Sequence, residues 1–269
     1  MATLKDVERI VIKVGTSTLA HDTGKANIRQ MKKLVAVISD IVNSGKQVAL
    51  VTSGAIGVGA GKLGLKERPK TTAGKQAAAT IGQCELMFMY DKMFGEYGHT
   101  IGQFLITKRD VDNLECRENL INAFEETFNL GAIPVINEND AVAIEEIVYG
   151  DNDSLSAIVA KLIGADALLI LTDIDGLYTG NPNEDEYARI IPVVTEITDE
   201  LYKIAGGKGS KFGTGGMVTK LHAAEIATEA GIDTIVLNGG DAENIYRVLE
   251  GHQVGTFFVA KESKQLELE

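Results

Sequence analysis

What most constrains this 269-residue chain is a rhythm: a short aliphatic run, a glycine-bearing turn, then a stretch with helical periodicity, repeated along its length. The runs are Ile10 to Val14, Val48 to Val51, Ile101 to Ile106, Ile133 to Ile136, Ala167 to Leu171 and Ile232 to Leu237. Each is apolar almost continuously rather than at alternate positions, as in strands covered on both faces. Strands alternating with helices predict βαβ units and an α/β fold, an open, mostly parallel central sheet with helices on both faces. Between the first two runs Ile28, Met31, Leu34, Val35, Ile38, Ile41 and Val42 recur at helical spacing, with Gly45 as the stop. After Asp151 the stripe Leu155, Ile158, Val159, Leu162 and Ile163 ends at Gly164. The stretch Val142 to Tyr149, bounded by Asp140 and Gly150, reads instead as an antiparallel hairpin.

A chain of this length buries roughly three quarters of its unfolded surface in one core, which predicts one large domain or one domain with two lobes. No internal repeat, low-complexity tract or linker divides it. A net charge of −12 disfavours nucleic acid and anionic membrane as partners. No apolar run approaches the roughly 18 residues of a spanning helix, and Asp6 and Glu8 precede the first hydrophobic stretch; a cytoplasmic location is expected. Cys84 and Cys116 are isolated, without CxxC or histidine spacing, so neither a disulfide framework nor a zinc site is expected and both are read as reduced packing residues.

In such a sheet ligands bind beyond the carboxyl ends of the strands, and four clusters fall there. Lys13-Val14-Gly15-Thr16-Ser17 closes the first strand. A lysine there either meets an anion that Gly15 lets approach closely or snorkels to water. Thr52-Ser53-Gly54-Ala55 follows the second strand and opens a helix carrying Gly57, Gly59 and Gly61. Its free N–H groups and the Ser53 hydroxyl suit a phosphate or carboxylate, the alternative being that Ser53 only caps the helix. Asn137-Glu138-Asn139-Asp140 and Gly150-Asp151-Asn152-Asp153-Ser154 supply carboxyl and amide groups that fit helix capping, or the holding of a substrate ammonium and the orienting of lysines. Thr172-Asp173 to Tyr178 follows the strand ending at Leu171, and Thr214 to Lys220 opens a helix after the glycine-rich stretch 206–213. That stretch fits a lid over nucleotide phosphates or a surface loop.

Two motifs fail. Gly59-Ala60-Gly61-Lys62-Leu63-Gly64 matches the dinucleotide fingerprint but lies within or after a helix rather than in a strand-to-helix turn, which removes its mechanical role and disfavours a nicotinamide-dependent oxidoreductase. Gly61-Lys62 is followed by Leu63, and residue 56 is Ile, so there is no Walker P-loop.

The ordered set Ile12 to Ser17, Thr52 to Ile56, Asn137 to Asp140, Gly150 to Asp153, Thr172 to Tyr178 and Thr214 to Lys220 resembles the glutamate 5-kinase family of the amino-acid kinase superfamily, over nearly the whole chain. Sister families acting on aspartate or N-acetylglutamate usually carry Gly-Gly where this chain has Val14-Gly15-Thr16, which favours the glutamate kinases and leaves another small-acid kinase as the alternative. The resemblance implies an αβα sandwich that moves the γ-phosphoryl group of Mg-ATP to the side-chain carboxylate of L-glutamate, giving L-glutamyl 5-phosphate, the first step of proline synthesis. It implies that Lys13 and Lys220 stabilise charge on the phosphoryl group while Asp153 orients them. Ser53, Gly54, Ala55, Asn137, Asp140 and Asn152 then bind glutamate. ATP is met by Lys13, Thr172, Asp173, Thr214, Gly215, Gly216, Met217, Val218, Thr219 and Lys220. No residue is assigned as a direct ligand of Mg2+.

By the same resemblance, a single domain spans about 1–260. Its lobe of about 1–165 binds glutamate and that of about 166–260 binds ATP, followed by a charged tail, 261–269. Feedback inhibition by proline and a homo-oligomer, dimer or tetramer, are also implied. Many glutamate kinases continue into a C-terminal PUA domain, whereas this sequence ends after Phe257-Phe258-Val259 with the tail; nothing contributed by that domain is carried over. The chemistry agrees with the resemblance. A glutamate carboxylate, pKa about 4.3, is already an ionised nucleophile at neutral pH. The site must therefore supply positioning and positive charge rather than a base. His21, His99, His222 and His252 lie outside all four clusters. A catalytically silent amino-acid sensor on this fold would lack a phosphoryl-transfer lysine, and Lys13 and Lys220 are both present.

Overall fold

All six aliphatic runs form strands in the computed structural model, which describes residues 4–21, 23, 25–142, 152–182, 184–206 and 216–261. In chain order the elements are β1 (Arg9–Val14), α1 (Thr16–Leu19), α2 (Ile28–Asn43), β2 (Gln47–Val51), α3 (Ala55–Lys62), α4 (Thr72–Gly95), β3 (Ile101–Ile106), α5 (Lys108–Asp112), α6 (Leu114–Asn129) and β4 (Ile133–Glu138). Then come α7 (Asn152–Leu162), β5 (Ala167–Thr172), β6 (Val193–Val194), α8 (Asp199–Ala205), α9 (Met217–Glu229), β7 (Asp233–Asn238), α10 (Asn244–Leu249) and β8 (Thr256–Phe258). The expected hairpin at 142–149 lies, beyond Val142, outside the described residues.

Among the described residues the sheet has eight strands in the order β3-β4-β2-β1-β5-β7-β8-β6. Every pairing is parallel except β7 with β8. From β1 the chain adds β2 beside it, then β3 at the edge and β4 between the two, and crosses over through α7 to start the other side at β5. The strand order therefore reverses at β1, the position where open α/β sheets bind ligands.

Alternation along the strands sorts the core into two layers. Ile10, Ile12 and Val14 of β1 face the layer made by α2, α3, α4 and α10. Val11 faces the layer made by α6, α7 and α9. The same parity places Leu50 and Val135 in the first layer, and Val51 and Ile136 in the second.

Helix boundaries follow local chemistry. Asn27 caps α2 by accepting from the Gln30 N–H, and Gly45 ends it at φ 97; Gly164 ends α7 at φ 58. Periodicity did not expose α4 or α6, because much of α4 is alanine and glycine and α6 buries only Phe124 and Phe128. The two- and three-residue strands β6 and β8 are too short to stand out. One expectation is corrected: Cys84 and Cys116 are exposed, so neither is a packing residue.

Candidate active site

Lys13 follows Val11 by two residues and so faces the α7 layer, where its Nζ lies 2.5 Å from Asp153 Oδ1 in the first turn of α7. Lys220, in the first turns of α9, reaches Asp153 Oδ2 at 3.0 Å. Thr219 Oγ1 lies 2.9 Å from that same oxygen and 2.7 Å from the Gly216 carbonyl. Exposure is 7% for Lys13, 5% for Lys220 and 0% for Asp153. Burial pushes the Asp153 carboxyl up, but the two ammonium groups and their hydrogen bonds outweigh it and hold the group below the usual carboxylate range. Asp153 is therefore no mere helix cap, and Lys13 does not snorkel to water. Among the described residues two buried ammonium groups meet at one carboxylate, an arrangement that suits an incoming anion.

A second cluster spans the ends of β2 and β4. Asn152 Nδ2 donates to the Thr52 carbonyl and, at 2.7 Å, to Asn137 Oδ1. Asn137 Oδ1 also accepts from the Glu138 N–H, while its Nδ2 donates to Gln83 Oε1 at 2.8 Å. Thr52 Oγ1 and Tyr90 OH are 3.0 Å apart. Ser53 does not cap α3: its hydroxyl donates to the Val14 carbonyl at 3.1 Å and lies 3.3 Å from Thr16 Oγ1. Gly54 holds the cap position at φ 93, a left-handed conformation that favours glycine, and Ala55 begins the helix. Asp140 stands two residues beyond β4, where burial pushes its carboxyl up against the opposing pull of Arg68.

On the other side of β1, Thr172 ends β5 and its hydroxyl donates to Asp173 Oδ1 at 3.1 Å. The Gly239 N–H donates to the Thr172 carbonyl at 2.8 Å, tying this end to β7. Within the described residues helix α9 starts at Met217 with Gly216 as its cap, and among them no side chain caps its first N–H groups. Those groups and the helix dipole favour an anion there. Met217 and Val218 fill the first turn, with Val218 exposed. Thr214, Gly215, Asp151 and 207–213 lie outside the described residues.

The fold thus joins Lys13, Asp153, Thr219 and Lys220 in one cluster and Ser53, Asn137 and Asn152 around neighbouring strand ends, with Thr172 and Asp173 at the end of the strand next to β1. Sequence reasoning missed Gln83 and Tyr90, both on the buried face of α4. The available signal was a glutamine set among Ala79, Leu86 and Tyr90 at helical spacing.

Residues 8–238 match the amino acid kinase family. The chain is 51% identical to a glutamate 5-kinase of Clostridium perfringens over 265 residues, covering 97% of this chain and 98% of that one. It is 50% identical to a glutamate 5-kinase of Listeria innocua, covering 97% and 96%. Among solved structures, a UMP kinase from Bacillus anthracis superposes with a TM-score of 0.64 over 95% of this chain and 97% of that one, at 18% identity, a likeness of fold alone. With half of its residues shared along nearly its whole length, and with the sheet of the amino acid kinases beneath them, the chain belongs to the glutamate 5-kinase family.

Proposed function

We propose that the chain transfers the γ-phosphoryl group of ATP to the side-chain carboxylate of L-glutamate, yielding L-glutamyl 5-phosphate and ADP, the first step of proline synthesis. The observation that carries this reading is the buried Lys13–Asp153–Lys220 cluster at the strand-order reversal, a cradle of two ammonium groups held on one carboxylate. A carboxylate oxygen forms the new bond to the γ-phosphorus as the bond from that phosphorus to the β–γ bridging oxygen breaks. The electron pair leaves on ADP and no proton moves, because the nucleophile is already ionised. Lys13 and Lys220 neutralise charge on the transferring group, and Asp153 holds the two ammonium groups in place.

Ser53, Gly54, Ala55, Asn137, Asp140 and Asn152 bind glutamate, and Thr172, Asp173 and the start of α9 from Gly216 to Lys220, with Lys13, meet ATP. Glutamate then sits on the half of the molecule up to about residue 165 and ATP on the half beyond it. Among the described residues no group of three or more His, Cys, Asp or Glu side chains is arranged to hold a metal. The donor set of the cradle suits phosphate oxygens, and Mg2+ would be carried on the nucleotide. Among the described residues no helix is long and apolar enough to cross a membrane. Both substrates are cytoplasmic metabolites, which puts the reaction in the cytoplasm. Assembly as a homo-oligomer and inhibition by proline belong to the same proposal; proline, the product of the pathway, shares glutamate's α-carboxylate and a protonated α-nitrogen and should raise the apparent KM for glutamate.

A substrate panel with ATP and hydroxylamine, which traps acyl phosphates as hydroxamates, tests the reading. Glutamate should give hydroxamate, and aspartate and N-acetylglutamate should not. An acetylated nitrogen would leave the Asp140 carboxylate without its cation. Equal turnover of N-acetylglutamate would move the chain to a sister activity.

A further inference from the structure

We propose that Gln83 is a positioning residue for the substrate ammonium, its side-chain oxygen setting the polarity of an amide relay from Gln83 through Asn137 to Asn152. The inference rests on glutamate being the substrate. Gln83 lies on the face of α4 that buries Ala79, Leu86, Tyr90 and Phe94, and it is itself only 8% exposed. An apolar side chain would fill that position without penalty, whereas a buried amide is costly unless both its ends are hydrogen-bonded. Only one end is. Gln83 Oε1 accepts from Asn137 Nδ2 at 2.8 Å, while Nε2 is sealed from solvent and finds no partner among the described residues.

The consequence of that single bond runs outward to the site. Because Gln83 Oε1 accepts, Asn137 turns its Nδ2 toward α4 and its Oδ1 toward the strand ends. There Oδ1 accepts from Asn152 Nδ2 and from the Glu138 N–H. Asn152 Nδ2 spends its two hydrogens on Asn137 Oδ1 and the Thr52 carbonyl. What Asn152 retains is its Oδ1, which can only accept, and an ammonium group is donor only. Reversing Asn137 would set its NH2 against the Asn152 NH2 and the Glu138 N–H, donors facing donors. Gln83 does not touch substrate in this account; it fixes which end of Asn152 the substrate meets.

The test compares wild type with Gln83→Met, which keeps length and loses the acceptor, and Gln83→Glu, which keeps an acceptor oxygen. Each is assayed by hydroxamate formation from glutamate and from glutarate, the same dicarboxylate without the amine, and melted in parallel. In Gln83→Met the KM for glutamate should rise roughly tenfold, the scale of one misdirected buried hydrogen bond. Its kcat, and its kcat/KM for glutarate, should stay within about twofold, so the glutamate-to-glutarate ratio of kcat/KM falls about tenfold. The melting temperature should stay near that of wild type, since the unpartnered Gln83 amide is gone while the buried Asn137 Nδ2 loses its acceptor, and Gln83→Glu should keep the wild-type ratio. If Gln83→Met keeps that ratio, or loses activity on both acids in proportion to lost stability, Gln83 only packs and the inference is overturned alone. If wild type gives no hydroxamate from glutamate, the substrate assignment fails and takes the inference with it.

Discussion

An ammonium group in a protein interior is costly unless an anion meets it, and here Lys13 and Lys220 share one carboxylate. Each lysine should therefore matter more to the transition state than to either ground-state complex. Lys13→Ala or Lys220→Ala should lower kcat by about 10²- to 10³-fold, the scale of one preorganised donor, with the KM for glutamate moving far less. Lys13→Arg should not rescue fully, because a planar fork cannot take the place of a compact ammonium. Steady-state kinetics of the three variants decide this, and a Lys13→Ala enzyme with wild-type kcat and reduced stability would make the lysine structural. Asp140 gives a pH signature. Its carboxyl titrates above the usual range because of burial. As pH falls it is neutralised before an ordinary aspartate, above about pH 3.9. The KM for glutamate should rise on acidification for that reason, and Asp140→Asn should raise it at neutral pH by roughly 10- to 100-fold, the worth of a charged hydrogen bond, while flattening the acid limb. At this scale Lys13 and Asp153 were legible singly, one as a lysine closing an aliphatic strand and the other as a carboxylate opening a helix. That the carboxylate orients both Lys13 and Lys220, the latter 67 residues beyond it, came from the family resemblance and not from the residues themselves; only the crossover through α7 creates that meeting.

At the scale of elements, α3 and α4 cross closely enough that two glycines are required by space alone. A Cβ on Gly59 would lie 1.8 Å from the Ala78 carbonyl oxygen, and one on Gly82 would lie 1.8 Å from that of Ala55. Ala55 begins α3 directly after Ser53 and Gly54, so the crossing also sets where the strand-end loop sits. Gly59→Ala should destabilise by about 1–3 kcal/mol or more, as overpacking against backbone does, and should weaken glutamate binding as α3 shifts. A methyl group on Gly57, by contrast, would meet nothing within 4 Å. Gly57→Ala should leave stability equal or raise it by up to about 1 kcal/mol, through helix propensity. Chemical denaturation of the pair checks both, and equal losses would mean that helix geometry rather than contact is at stake. The sequence showed a helix carrying Gly57, Gly59 and Gly61 but not what each glycine is for. Gly59 answers to packing, but its partner helix α4 was unread, because a face made of Ala78, Ala79 and Gly82 carries little apolar contrast.

Across the whole molecule, β1 is the seam, paired in parallel with β2 of the first half and β5 of the second. The Lys13–Asp153–Lys220 cluster repeats that junction in side chains, joining β1, the crossover helix α7 and the second-half helix α9. Asp153 is held below the usual carboxylate range, so its stabilisation is present at all pH values above its unfolded value of about 3.9. It is lost only as pH falls from there through the depressed folded value. Asp153→Asn removes it at every pH and takes the shared carboxylate from two buried ammonium groups, a cost of about 3–5 kcal/mol. The ligand-free variant should melt well below wild type at pH 7. An anion that enters the cradle would then replace the missing charge, so ATP should raise the melting temperature more in Asp153→Asn than in wild type, even though turnover is lost. Because the lysines are buried, added salt should screen this difference only weakly. Thermal melts of both proteins with and without ATP measure it. A smaller shift in the variant would mean that the phosphates do not reach Lys13 and Lys220, and that the cluster ties the two halves together without forming the phosphoryl site.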